Sequence, residues 1–146
     1  MQINIINGPN LNFLGKRETD VYGLKSFETY IEELKKKYSN ITLSYFQSNS
    51  EGEIIDEIQK SEIEKINGII LNAGAYTHYS LAIRDAIKSV SIQVVEVHIS
   101  NIFSREKFRQ KSVISDVCTG IISGFGLFSY DLAIEFFQKS KENYFL

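Results

Sequence analysis

A single cysteine, Cys118, leaves the chain no partner for an internal disulfide and fits a reducing compartment. With two histidines and one thiol at no paired spacing, a structural zinc site is not expected. Excess positive charge is also missing: 16 Lys and Arg stand against 18 Asp and Glu, a formal net charge of −2, so there is no basic field for a nucleic-acid partner. The opening Met1-Gln2-Ile3-Asn4-Ile5-Ile6 carries neither a basic leader nor a small-residue cleavage site. The uncharged stretch 117–130 is too short and too glycine-rich for a membrane span, which takes ~20 predominantly apolar residues. The expectation is a cytoplasmic protein with no nucleic-acid or membrane partner. What is present is ordinary for one soluble globular domain over residues 1–146: 43% hydrophobic and 23% charged side chains. That is enough for a core without disulfide or metal staples.

Strands and helices alternate along the chain. Residues 2–7 form a short β-branched run that Gly8-Pro9-Asn10 ends, a strand stopped by a turn. Residues 8–23 show no clear period. Ser26 opens a helix in which Phe27, Tyr30, Ile31 and Leu34 share a face and Lys35-Lys36-Lys37 close the end, favourably for the helix dipole. Strands follow at 41–47, 68–72, 92–98 and 119–123. Between them the periodicity predicts helices from a Ser50/Glu53 capping box to about Glu64, from about Ser80 to Val90, and from Phe125 to about Glu142, with a short helical turn within 104–110. Short apolar strands separated by helices make a parallel sheet covered on both faces. The expected fold is α/β: a flavodoxin-like open doubly wound sandwich with a five-stranded parallel sheet.

In such sheets ligands sit beyond the carboxyl ends of the strands, where strand order reverses. Several common sites are absent there. Six residues, not four, separate Gly8 from Gly15-Lys16, and Arg17 stands where a phosphate loop needs Ser or Thr. No G-x-G-x-x-G follows the first strand, no acidic cluster follows it, and no Ser sits in a G-x-S-x-G elbow. What remains is polar and clustered. The first loop offers Asn7, Asn10, Asn12, Arg17 and Tyr22. The third strand end offers Asn72, Thr77 and His78, with Arg84 and Asp85 in the next helix. The fourth offers Glu96, His98, Ser100 and Asn101, with Arg105 and Arg109 beyond. Taken singly, His78 reads as a surface residue, Tyr22 as a packing aromatic, Asn10 and Asn72 as turn formers, Arg84 and Asp85 as an exposed helix face, and Cys118 as an inert core thiol. Glu96 and His98, two residues apart on one strand, share a face; a Glu on a buried strand is costly unless paired. The constellation is the signal.

Asn7-Gly8-Pro9-Asn10-Leu11-Asn12-Phe13-Leu14-Gly15 with Arg17-Glu18 and Tyr22-Gly23, then Leu71-Asn72-Ala73-Gly74-Ala75-Tyr76-Thr77-His78-Tyr79-Ser80 and Arg84-Asp85-Ala86, then Glu96-Val97-His98-Ile99-Ser100-Asn101 and 105–109, and last Gly120-Ile121-Ile122-Ser123-Gly124-Phe125-Gly126 together resemble type II 3-dehydroquinate dehydratase. The blocks run in order over nearly the whole chain. Phe13, Thr19 and Lys111 depart from the pattern: Leu, Pro and a polar or His residue are usual there. None of the three removes a chemical group.

The resemblance implies a flavodoxin-like fold and the dehydration of 3-dehydroquinate to 3-dehydroshikimate, the third step of the shikimate pathway to chorismate and the aromatic amino acids. It implies no metal, no nucleotide cofactor and no lysine Schiff base, and a homo-oligomer, a dodecamer of trimers. By resemblance Tyr22 is the base, with Arg17 beside it. A tyrosine of pKa ~10 is only ~0.1% phenolate at neutral pH, and a guanidinium within ~4–6 Å lowers that pKa by ~1–3 units. Asn10 meets the enolate oxygen through a water, and His98 is the acid, oriented by Glu96. Asn72 and the amides and hydroxyl of Ile99 and Ser100 hold the substrate carboxylate. His78 and Arg109 take ring hydroxyls, and Asp85 reaches the site from a neighbouring subunit. Gly15 and Gly23 read as hinges of a lid. The alternative reading is a non-catalytic flavodoxin-like module that binds a flavin or a small anionic ligand.

Overall fold

The computed structural model describes residues 1–15 and 26–140; Arg17, Tyr22 and the Gly23 hinge therefore lie outside the described residues. Five strands, β1 (Gln2–Asn7), β2 (Thr42–Gln47), β3 (Gly68–Asn72), β4 (Gln93–His98) and β5 (Gly120–Ser123), form one sheet in the order β2-β1-β3-β4-β5. Every neighbouring pair is parallel, with Ile5 opposite Tyr45 and Ile70, Leu71 opposite Glu96, and His98 opposite Ser123. The helices are α1 (Phe27–Lys37), α2 (Glu51–Ile63), α3 (Leu81–Ser89) and α4 (Phe128–Ser140). No helix among the described residues is long and apolar enough to cross a membrane.

Alternation along the strands sorts the core into two layers. Ile3, Ile5, Ile70, Val95 and Val97 face α1 and α4, packing with Phe27, Leu34, Tyr130, Ile134 and Phe137. Ile6, Ile69, Leu71 and Val94 face α2 and α3, packing with Ile54, Ile58, Ile83 and Ile87. Both faces of β3 are buried, which is why it reads as an unbroken apolar run.

Three serines cap helices: Ser26, Ser50 and Ser80 accept from the amides of Thr29, Glu53 and Ile83, satisfying donors that the first turn leaves free. The expected capping box at Ser50 is only half formed. The Glu53 carboxylate accepts from the Ser48 hydroxyl, and Ser48 Oγ in turn accepts from the Ser50 amide at 2.9 Å, so Ser48 takes the place of the reciprocal bond. The last helix begins at Phe128, three residues later than the periodicity predicts, because Gly124 (φ 98°) and Gly126 (φ 62°) hold the preceding turn in the left-handed region; its expected end near Glu142 lies outside the described residues. Strands β2, β4 and β5 each begin one residue later than expected. The turn expected at 104–110 is two short 3₁₀ segments, Ile102–Ser104 and Lys107–Arg109, and others stand at Leu11–Phe13, Gly74–His78 and Ser115–Val117.

The ends of β1 and β3 interlock. The Gly8 amide donates to the Asn72 carbonyl at 2.7 Å, and a Cβ on Gly8 would stand 2.5 Å from the Ala73 carbonyl oxygen. Because the obstacle is backbone, the two loops would have to part. Gly8→Ala is therefore expected to cost about 1–3 kcal/mol of stability, the usual range for overpacking. Urea unfolding reads it directly: an unchanged midpoint would contradict the close approach.

Candidate active site

Strand order places β2 on one side of β1 and β3 on the other, so the strand order reverses between β1 and β3, and a crevice opens at their carboxyl ends. There a pocket is lined by Leu11 after β1, by Asn72, Gly74 and His78 after β3, and by His98, Ile99, Ser100, Ile102 and Arg105 after β4.

Asn72 is buried, and its amide is held at both ends. Nδ2 donates to the Tyr130 hydroxyl at 2.9 Å, and Oδ1 accepts from the Gly74 amide at 3.2 Å. Tyr130, wholly buried on α4, donates its one proton to Asn7 Oδ1 at 2.8 Å. A phenol that donates to Asn7 can only accept from Asn72, so the relay sets which way the Asn72 amide faces. Burial raises the pKa of Tyr130 far above the ordinary range and pushes the half-buried Tyr45 phenol behind it up to about 12. Neither ionises in the working range, and Tyr130 stays a neutral donor to Asn7.

His98 and Glu96 project from the same face of β4. His98 Nε2 lies 2.6 Å from Glu96 Oε1. A carboxylate only accepts, so the ring donates from Nε2. Glu96 is wholly buried, and its other oxygen accepts from Ser115 Oγ at 2.5 Å and Ser112 Oγ at 3.2 Å. The carboxylate is thus paired and hydrogen-bonded, the condition under which burial of such a group is tolerated. The His98 carbonyl accepts from the Gly124 amide at 3.1 Å and from Ser129 Oγ at 3.2 Å, so the turn into α4 steadies this strand end. Cys118 lies behind the site, and burial, followed by the carboxylates of Glu96 and Asp116, pushes its thiol up to about 12. At neutral pH it is not a thiolate and so not a nucleophile.

His78 Nδ1 is 2.8 Å from the Lys111 carbonyl. Because the contact is to the main chain, the identity of residue 111 does not enter it. The pocket therefore brings together Asn72, His78, His98, Ile99 and Ser100, with Glu96 directly behind His98. It does not include Asn10, Asp85 or Arg109 among its lining residues. Asn10 is exposed in the left-handed region (φ 68°), its amide donating to Asn49 Oδ1 at 3.0 Å. Asp85 is exposed on α3. Arg109 pairs with Glu106 at 3.2 Å and lies 5.3 Å from the Phe108 ring centre; Arg105, to which sequence reasoning assigned no role, lines the pocket. Ser112, Ser115 and Tyr130 were also missed. The first two carry a faint signal, a serine pair three apart just after the arginine-rich turn. Tyr130 carries none, since a tyrosine on an apolar helix face reads as core. Among the described residues, no group of three or more His, Cys, Asp or Glu side chains is placed so that it could hold a metal ion.

Residues 1–138 match the family model for dehydroquinase class II. The 3-dehydroquinate dehydratase of Clostridium beijerinckii is 57% identical over 145 residues, covering 97% of this chain and 98% of the relative. That of Caldicellulosiruptor saccharolyticus is 56% identical over 135 residues, 91% of this chain and 93% of the relative. The crystal structure of the type II dehydroquinase of Butyrivibrio crossotus superposes with a TM-score of 0.91 at 50% identity, covering 94% of this chain and 97% of that one. With the switch-point pocket, the parallel order β2-β1-β3-β4-β5 and a family match over nearly its full length, this chain belongs to the class II dehydroquinase family.

Proposed function

We propose that this chain dehydrates 3-dehydroquinate to 3-dehydroshikimate by anti elimination through an enolate. The observation that carries the reading is the buried Glu96–His98 pair opening into the same pocket as Asn72, His78 and Ser100, in a chain of this family. The substrate is a small ring bearing a carboxylate, a ketone and hydroxyls. Elimination needs a base for the proton alpha to the ketone, stabilisation of the enolate, and an acid for the departing hydroxyl.

Tyr22, as phenolate beside Arg17, takes the alpha proton, and the electron pair moves onto the ketone oxygen. Asn10 meets that oxygen through a water. A neutral amide stabilises it without an ion pair that would hold the ground state equally well. The enolate then collapses to the enone as the C–O bond breaks, and the leaving hydroxyl departs as water with a proton from His98. Glu96 holds the His98 ring. Asn72, Ser100 and the Ile99 and Ser100 amides take the carboxylate, and His78 and Arg109 take ring hydroxyls. Exposed Asp85 acts from a neighbouring copy in the dodecamer of trimers, which accounts for its place outside the chain's own pocket.

The purified chain is expected to convert 3-dehydroquinate to an ultraviolet-absorbing enone, with a rate that survives EDTA and borohydride treatment in the presence of substrate. No enone would overturn the reading. Inactivation by borohydride with a covalent adduct on a lysine would replace the enolate route by a Schiff base.

A further inference from the structure

We propose that Ser115, assisted by Ser112, is a positioning residue for His98, acting through the far oxygen of Glu96. The inference rests on the reading of His98 as the acid and deepens it. The Glu96 side chain can turn about three bonds, so a bond from Oε1 to His98 does not by itself keep the ring aimed. The second oxygen supplies the constraint: Ser115 Oγ at 2.5 Å and Ser112 Oγ at 3.2 Å both donate to Oε2. The proton of Ser112 has little choice of direction, because its oxygen already accepts from the amides of Ile114 at 3.2 Å and Ser115 at 3.0 Å.

The segment that carries both serines is itself tied down. Ile114 is wholly buried. The Val113 amide donates to the Thr77 carbonyl at 2.9 Å, and the Val113 carbonyl accepts from Arg84 Nη1 at 2.8 Å. Arg84 Nη2 also pairs with Asp116 Oδ2 at 2.8 Å. A fixed strap therefore grips one carboxylate oxygen so that the other can orient the ring, the arrangement by which outer hydrogen bonds usually aim a functional histidine.

The test uses the whole chain with Ser115→Ala, Ser112→Ala/Ser115→Ala and Ser115→Thr, each measured for kcat, KM and unfolding midpoint. It also follows the ring-proton resonance of His98 in histidine-labelled protein, which a chain with two histidines makes simple to assign. Ser115→Ala should lower kcat by about ten- to a hundredfold, the ordinary effect of removing a donor from a charged acceptor. KM should hold within about twofold, the His98 resonance should move, and Ser115→Thr, which keeps the hydroxyl, should recover most of the rate. Should Ser115→Ala fail to fold, Ser112→Ala and Ser115→Thr carry the same comparison. Normal kcat with an unmoved resonance in the double variant overturns the proposal, as does a resonance that moves while kcat stays normal. If His98→Ala itself keeps full turnover, the acid assignment fails instead. An inactive His98→Ala beside a fully active double serine variant sinks only the present inference.

Discussion

His98→Ala is expected to lower kcat by ~10²–10⁴-fold, the usual worth of a positioned general acid, with KM changed only a few-fold. In the proposed mechanism the ring is the proton donor; it sits at the mouth of β4, only 6% exposed, and no other imidazole lies on its strand. His78 is tied to the Lys111 carbonyl at 2.8 Å and comes from a different strand end. Binding should be spared because the carboxylate contacts proposed for Asn72, Ile99 and Ser100 do not pass through the ring. The substitution also takes one donor from the buried Glu96, which keeps its two serine hydroxyls. A stability cost of about 1–3 kcal/mol follows, so kinetics belong well below the unfolding transition. Turnover like the unsubstituted chain would remove His98 from the chemistry.

Tyr22→Phe is expected to lower turnover by at least ~10²-fold, equivalent to ~2.7 kcal/mol of barrier, while an unreactive analogue of the substrate still binds within a few-fold by calorimetry. The substitution deletes one oxygen and keeps the ring, so what it removes is the hydroxyl proposed as the base. Arg17→Lys keeps the charge but loses the planar fork. It should reduce turnover more than binding, because the guanidinium matters most when phenolate and enolate are both charged. If the whole loss in Tyr22→Phe lay in binding, the loop would be a lid and the base would be elsewhere.

The parts of this molecule that were legible in the sequence are those with a period. β1, β3 and β4 are β-branched and buried, α1 carries its apolar stripe at Phe27, Tyr30, Ile31 and Leu34, and serine caps mark three helix starts; these signals are local. The switch-point rule pointed to the carboxyl ends of the strands, and those of β1, β3 and β4 do line the pocket while the 47–50 stretch after β2, to which it pointed equally, does not; two-residue spacing was enough to put Glu96 and His98 on one face. The 3₁₀ turns at Leu11–Phe13, Gly74–His78 and Ser115–Val117 are too short to show a period. Ser112 and Ser115 become relevant only because the chain returns to β4 after 16 and 19 residues, a tertiary fact. Tyr130 is similar: its hydroxyl joins Asn7 and Asn72 across 123 and 58 residues of sequence. Spacing also could not tell Arg105 from Arg109. Both reach Glu106, at 3.7 and 3.2 Å, but of the two only Arg105 lines the pocket, and that depends on how two short turns pack.

The division of labour between Tyr22 and His98 is tested most directly by nuclear magnetic resonance of 3-dehydroquinate in heavy water with the two variants side by side. If Tyr22 makes the enolate and His98 only releases the hydroxyl, His98→Ala still removes the alpha proton, and deuterium enters that position faster than product forms. Tyr22→Phe then shows neither exchange above the uncatalysed background nor product. Exchange by Tyr22→Phe as fast as by His98→Ala, or exchange lost in His98→Ala but kept in Tyr22→Phe, would contradict the assignment of base and acid.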